Sequence, residues 1–244
     1  MLLTGAGYGR RIGLRLPSAD VETVRRWLPH WWADTGAAPE RTWELASAAE
    51  AEYVIRELEL WVAEHAADRI FVHAGVVAID GRALLLPGRS TCGKTTLTAA
   101  LLAAGAAYGS DEYAVLSQDG RVHPYPRPLE IRNGAGRSRV PAAEMGAATF
   151  AGPLPVAAVA QLRYQPGSGY RVEPISAAVA VLRLFDNTVC AQSRAAEALD
   201  TLMAATHDIV AVAGARGEAV SAVPAVSALV GGLTILSHAV CSDG

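Results

Sequence analysis

The chain has 244 residues, 51% of them hydrophobic and 18% charged, with a net charge of −3. That length buries a sizeable core, and the composition is too apolar for a disordered chain. Its 21 basic and 24 acidic residues leave no basic excess to engage nucleic acid or an anionic membrane surface. Cys92, Cys190 and Cys241 lack the spacing of a zinc site or a disulfide framework, so a reducing cytoplasm is the expected compartment.

The N-terminus carries no apolar run of secretory length. Residues 219–242 hold no charge and are long enough to span a bilayer. Ser221, Pro224, Ser227, Gly231, Gly232, Ser237 and His238 interrupt them, so a buried helix followed by a core strand is expected instead.

In chain order, residues 10–16 alternate as a strand. Val21, Val24, Leu28, Trp31 and Trp32 then recur at helical spacing behind Ser18 or Asp20 as cap. Residues 47–66 read as a second helix with Val54, Leu58 and Trp61 on one face, the tryptophans serving as packing residues. Residues 1–66 thus form a short N-terminal α/β extension, and residues 67–244 one larger domain.

That domain opens with a strand at 71–79, an Asp80-Gly81 hairpin turn and a returning strand at 82–88. A helix follows, with Leu97, Leu101 and Leu102 on one face. Short strands at 106–109 and 113–117 flank Ser110-Asp111-Glu112, and Asp119-Gly120 marks another hairpin. Past residue 140 the sequence reads as loop with one short helix. A strand at 158–164, a turn and a partner strand at 170–175 come next. Helices are expected at 177–185 and 192–205, the second capped near Ser193.

Gly88-Arg89-Ser90-Thr91-Cys92-Gly93-Lys94-Thr95 satisfies GxxxxGK[ST] in full, between a strand and a helix. A wide loop of this kind aims successive backbone N–H groups at a phosphate chain, and its glycines permit the close approach. Lys94 supplies charge for the outer phosphates and the Thr95 hydroxyl a ligand for Mg²⁺, with Thr96 beside it on the helix. The helix start adds its positive end. ATP and Mg²⁺ are therefore the expected cofactors.

Asp111 and Glu112 follow Lys94 by one helix and a return strand. Phosphoryl transfer to a hydroxyl needs a base for the acceptor and carboxylates for the metal. Adjacent residues on a regular strand face opposite ways, so this pair serves both tasks only if the backbone turns there. Glu130 follows the stiff run Pro126-Arg127-Pro128-Leu129, and Arg127 and Arg132 offer charge to phosphate. His73 is an isolated histidine in an apolar strand, a pattern usual for a satisfied core residue.

The run from His73 to Leu116, followed by Pro124-Tyr125-Pro126-Arg127-Pro128-Leu129-Glu130-Ile131-Arg132, resembles the catalytic domain of the bacterial HPr kinase/phosphorylase family. The resemblance covers about residues 70–135. It implies a phosphoenolpyruvate-carboxykinase-like α/β fold with a mixed sheet, and ATP-dependent phosphorylation of a serine-type hydroxyl. Asp111 falls on the family's catalytic aspartate, His73 on its active-site histidine and Lys94 on its phosphate-loop lysine. Thr95 and Glu130 fall on its metal-side hydroxyl and second-signature acid; Glu112 stands where Asp is usual, as a further metal contact. Asn133-Gly134-Ala135-Gly136-Arg137 departs from the family's glycine-rich continuation, so phosphorylase activity is not expected.

Compact relatives of this sort also look like tailoring kinases of ribosomal-peptide pathways, lasso peptides among them. The expectation is a Mg-ATP-dependent kinase acting on a hydroxyl of a peptide or protein, without a nucleic-acid or membrane partner. A homo-oligomer is left open. The alternatives are a small-molecule kinase and a nucleotide-binding regulatory or scaffold protein that transfers nothing.

Overall fold

The computed structural model describes residues 1–88, 93–133 and 136–232. Arg89, Ser90, Thr91 and Cys92 lie outside the described residues, as does the core strand expected after residue 232. Of Arg132 only the backbone is described. The chain forms two compact units, Met1–Phe71 and Val72–Gly244.

In the first unit β1 (Leu2–Gly7) and β2 (Arg10–Arg15) form a hairpin, closed by Tyr8 and Gly9 at φ 51° and 74°. The left-handed pair matches the twist of the strands it joins. β1 is absent from the sequence reading because Gly5 and Gly7 erase its alternation. Their reason is steric: a Cβ on Gly5 would stand 2.2 Å from the Trp32 ring, and one on Gly7 2.2 Å from Trp31. Trp31 and Trp32 do pack, as expected, but not from a helix.

The expected helix through Trp32 is cut to α1 (Val21–Arg25). Pro29 removes an amide donor and disfavours helical backbone at Leu28. Neither expected cap forms one; the Asp20 carboxylate instead accepts the Ala48 N–H at 3.1 Å. β3 (Ala33–Asp34) and β4 (Arg41–Glu44) complete a sheet of order β3-β1-β2-β4. α2 (Ala51–His65) buries Val54, Ile55, Leu58 and Val62, while Trp61 sits at the edge against Trp43.

The second unit is α/β, built on a mixed sheet. β5 (Ile70–Ile79) and β6 (Arg82–Pro87) are antiparallel about Asp80-Gly81, both at positive φ. α3 (Lys94–Ala103) follows, then β7 (Ala107–Ser110) back along β5. β8 (Tyr113–Leu116) and β9 (Val122–His123) form the second expected hairpin. β10 (Leu129–Asn133) and β11 (Gly136–Val140) make a separate two-stranded sheet, β11 being unanticipated.

β12 (Val156–Tyr164) lies parallel to β6. β13 (Arg171–Pro174) is not its partner, contrary to the sequence reading. After α4 (Ala177–Phe185) and α5 (Ala195–Ala205), β14 (Val210–Arg216) inserts between them, parallel to β12 and antiparallel to β13. The insertion is possible because Gly214 carries no side chain: a Cβ there would meet the Arg171 carbonyl at 2.1 Å. Ser193 caps nothing; α5 starts after Arg194 without a side-chain cap. α6 (Ala219–Ala228) is the helix expected at 219 and packs on α3, but it is not buried throughout: Ala219, Ala222 and Val226 face inward and Val220 is exposed. Among the described residues no helix is long and apolar enough to cross a membrane.

The large sheet runs β13-β14-β12-β6-β5-β8-β9, with β7 also against β5. On one face Leu97, Leu101 and Leu102 of α3 pack with Val77, Leu84, Leu86, Ala160 and Leu162. α3 comes close because β5 has no side chain at Gly75, where a Cβ would lie 2.9 Å from the Thr98 hydroxyl. That hydroxyl is fully buried and has no hydrogen-bond partner among the described residues. Gly75→Ala is therefore expected to cost about 1–3 kcal/mol by overpacking. Thr98→Ala opens the space, so the double variant in a denaturant-unfolding cycle should lose much less than the sum.

Candidate active site

The β5–β6 register sets the start of the loop. Ala74 pairs with Pro87, and the Gly88 N–H reaches the His73 carbonyl at 3.4 Å. The loop ends at Gly93, whose φ of 83° is one that glycine readily adopts. The Gly93 carbonyl accepts the Leu97 N–H at 3.1 Å and begins the helical ladder of α3. Lys94, half-buried at the first turn, donates its Nζ to the Gly88 carbonyl and so ties the two ends of the loop together. Thr96 is exposed beside it.

β7 brings the acids in. Ser110 ends the strand, and its hydroxyl accepts the N–H groups of Glu112 and Tyr113 at 3.1 and 3.0 Å. The backbone turns there, leaving the two carboxylates close enough to interact but with different partners. Asp111 Oδ2 accepts the Thr95 hydroxyl at 2.8 Å. Glu112 is exposed and places Oε1 3.7 Å from His73 Nδ1. The Glu112 carbonyl also accepts the Ala74 N–H at 3.2 Å, fixing the turn to β5 beside His73.

Burial dominates the electrostatics. It pushes the Asp111 carboxyl up to about 6, helped by Glu112 and Glu130 and opposed by the Thr95 hydrogen bond and Lys94. Asp111 Oδ1 is buried and has no hydrogen-bond partner among the described residues. Burial and Lys94 push the His73 imidazole down, against the pull of Glu112. The ring lies against Tyr113, with centroids 4.9 Å apart. Tyr108 is buried and donates its hydroxyl to the Arg127 carbonyl at 2.7 Å, so the Pro-rich segment is anchored through its backbone.

The structure thus joins Thr95 with Asp111, and His73 with Glu112. Glu130 sits across the β10–β11 ladder from Arg139, 3.5 Å away. Among the described residues no three His, Cys, Asp or Glu converge on one point. Mg²⁺ usually keeps several waters, so an oxygen pair suffices to hold it. The orphaned Asp111 Oδ1 beside the Thr95 hydroxyl is such a pair, and the residues fit a hydrated Mg²⁺.

Three residues carry no signal of their own in the sequence: Tyr164 and Arg216, which lie against Gly93, and Arg139, which faces Glu130. Arg216 donates to the Gly93 carbonyl at 2.7 Å, and it escaped notice with its strand, β14. The available signal was the apolar run at 209–213 just before Gly214-Ala215-Arg216-Gly217.

No family model matches the chain, and no curated protein matches it. Among solved structures it has a distant likeness to the Hpr(Ser) kinase/phosphatase from Coxiella burnetii. The two are 23% identical over 43% of this chain and 77% of that one, with a TM-score of 0.31. A superposition of that quality establishes neither fold nor activity.

The raised Asp111 pKa has a definite sign in stability. The folded state holds the proton more tightly than the unfolded chain, so stability is full below about pH 4 and is lost as pH rises toward 6. At pH 8 the ionised group costs up to about 3 kcal/mol. Asp111→Asn is expected to raise the melting temperature at pH 8, with the gain shrinking as pH falls to 4. Thermal unfolding of both proteins across that range checks it.

Proposed function

We propose that this protein is a Mg-ATP-dependent kinase of phosphoenolpyruvate-carboxykinase-like architecture that phosphorylates a hydroxyl of a peptide or protein. One observation carries the reading. A phosphate-loop sequence ends in Lys94-Thr95, and the Thr95 hydroxyl bonds a half-buried carboxylate, Asp111, whose buried Oδ1 has no partner among the described residues. Burying a carboxylate that incompletely costs stability, and a site for phosphoryl transfer explains its retention.

Each residue then has a task. Lys94 exchanges the Gly88 carbonyl for the outer phosphates and neutralises their charge. Thr95 and one Asp111 oxygen hold the metal side, where Mg²⁺ supplies positive charge to the phosphate oxygens. Asp111 also positions the acceptor hydroxyl and takes its proton as the acceptor oxygen bonds to the γ-phosphorus and ADP departs. A carboxyl pushed up to about 6 is a far better proton acceptor near neutral pH than an ordinary aspartate. His73, neutral at that pH because burial pushes it down, offers a hydrogen bond beside Glu112. Glu130, on the strand that Arg127 leads into, is within electrostatic reach of Asp111 as a further metal-side acid. Arg127 and Arg132 are assigned to the incoming phosphate. A ribosomal-peptide precursor, of the lasso kind, is the substrate class tried first.

The experiment is transfer of labelled phosphate from ATP to candidate peptides, with nucleotide titration alongside. Lys94→Ala is expected to abolish productive ATP use while the fold persists. Asp111→Asn is expected to slow single-turnover transfer about 100- to 10,000-fold, with a much smaller loss of ATP affinity. Equal losses in both would confine Asp111 to the metal. ATP binding without transfer to any hydroxyl would favour a regulatory nucleotide-binding protein.

A further inference from the structure

Arg216 is 2% exposed, at the end of β14 and 123 residues from the loop it touches. A guanidinium keeps its charge at any physiological pH, so burying one is costly unless its donors are met. Here Nη2 donates to the Gly93 carbonyl at 2.7 Å and Nη1 to the Gly217 carbonyl at 2.8 Å. The Tyr164 ring lies 5.5 Å from Cζ, within cation–π range, and Tyr164 and Arg216 are register partners on β12 and β14. The Tyr164 hydroxyl donates to Glu218 at 2.9 Å, which fixes the ring from the far side.

The object of this bracing is one peptide group. The Gly93 carbonyl already accepts the Leu97 N–H, so the guanidinium occupies its second acceptor position. A Cβ at residue 93 would stand 2.6 Å from Arg216 Nη2 and 3.4 Å from Tyr164 Cβ, so the glycine is needed for contact as well as for its φ. The helix dipole does not explain the contact, because a cation at a helix N-terminus opposes it. What the contact does fix is the plane of the peptide joining Gly93 to Lys94. That plane sets where the Lys94 N–H and the first turn of α3 point.

We infer that Arg216, propped by Tyr164 and Glu218, is a positioning residue that holds the Gly93 peptide so that Lys94 and the start of α3 face the nucleotide phosphates. The inference rests on reading residues 88–95 as a phosphate loop. It adds to that reading a clamp from a distant strand, which acts through the loop backbone.

The test compares the full-length parent with Arg216→Met and Arg216→Lys in two measurements. One is titration with ATP and Mg²⁺; the other is amide hydrogen exchange without nucleotide. R216M is expected to bind ATP at least tenfold more weakly. The Leu97 and Thr98 amides are expected to exchange at least tenfold faster, with β6 and β12 unchanged. R216K keeps the charge but satisfies fewer acceptors, and is expected to fall between. A parent that binds ATP while R216M binds it equally well overturns the clamp and leaves the phosphate-loop reading standing. Exchange that rises equally in β6 and β12 also overturns it, since the role is then general stability. A parent that binds no nucleotide defeats the loop reading and the clamp together. If R216M does not fold, R216K is judged alone, and parental values in both measurements overturn the inference.

Discussion

The hydrogen bond from Thr95 to Asp111 ties the first turn of α3 to the end of β7, and most of the surrounding architecture is arranged to permit it. The carboxylate must sit under the helix, so β7 has to return along β5 and stop there. Ser110 stops it by capturing two backbone N–H groups with its hydroxyl. The helix must lie close to the sheet, so β5 has a glycine beneath Thr98. Any one of these features would pass as local detail. Together they bring a buried acid within 2.8 Å of a hydroxyl at the start of a helix.

The charges around that bond are poorly balanced. Glu112 and Glu130 both raise the Asp111 carboxyl, and Lys94 both relieves Asp111 and disfavours a charged His73. Evolution toward stability alone would replace such a buried carboxylate with an apolar group. The direction of each shift follows from what is nearby: the Asp111 carboxyl moves up toward neutrality, while the His73 imidazole moves down and away from it.

Where local chemistry decides structure, the sequence was readable. Asp80-Gly81 and Asp119-Gly120 name their own turns, and the glycine, lysine and threonine spacing at 88–95 names the strand–loop–helix around it. Where distant partners decide, it was not. β1 lost its alternation to two glycines whose only reason is a pair of indoles more than twenty residues away. The helix written through Trp32 followed the apolar spacing past Pro29, which ends it. β13 was assigned to its neighbour in sequence, whereas β14 takes the place between them. In the site, the sequence alone leaves open whether the backbone turns at Asp111-Glu112. The Ser110 hydroxyl that fixes the turn has no signature beyond its position.

The hairpin at Asp80-Gly81 bears on how the site assembles. Because β5 and β6 are joined by two residues, His73 and Gly88 are brought into register by contacts close in sequence, and such contacts close at small entropic cost. Tying Gly93 to Arg216 instead closes a loop of 123 residues, a slow event by the relation between contact order and rate. The mouth of the phosphate loop is therefore expected to form before its far end. A chain stalled before β14 docks holds half a site, with the histidine and first glycine in place and the helix start unanchored.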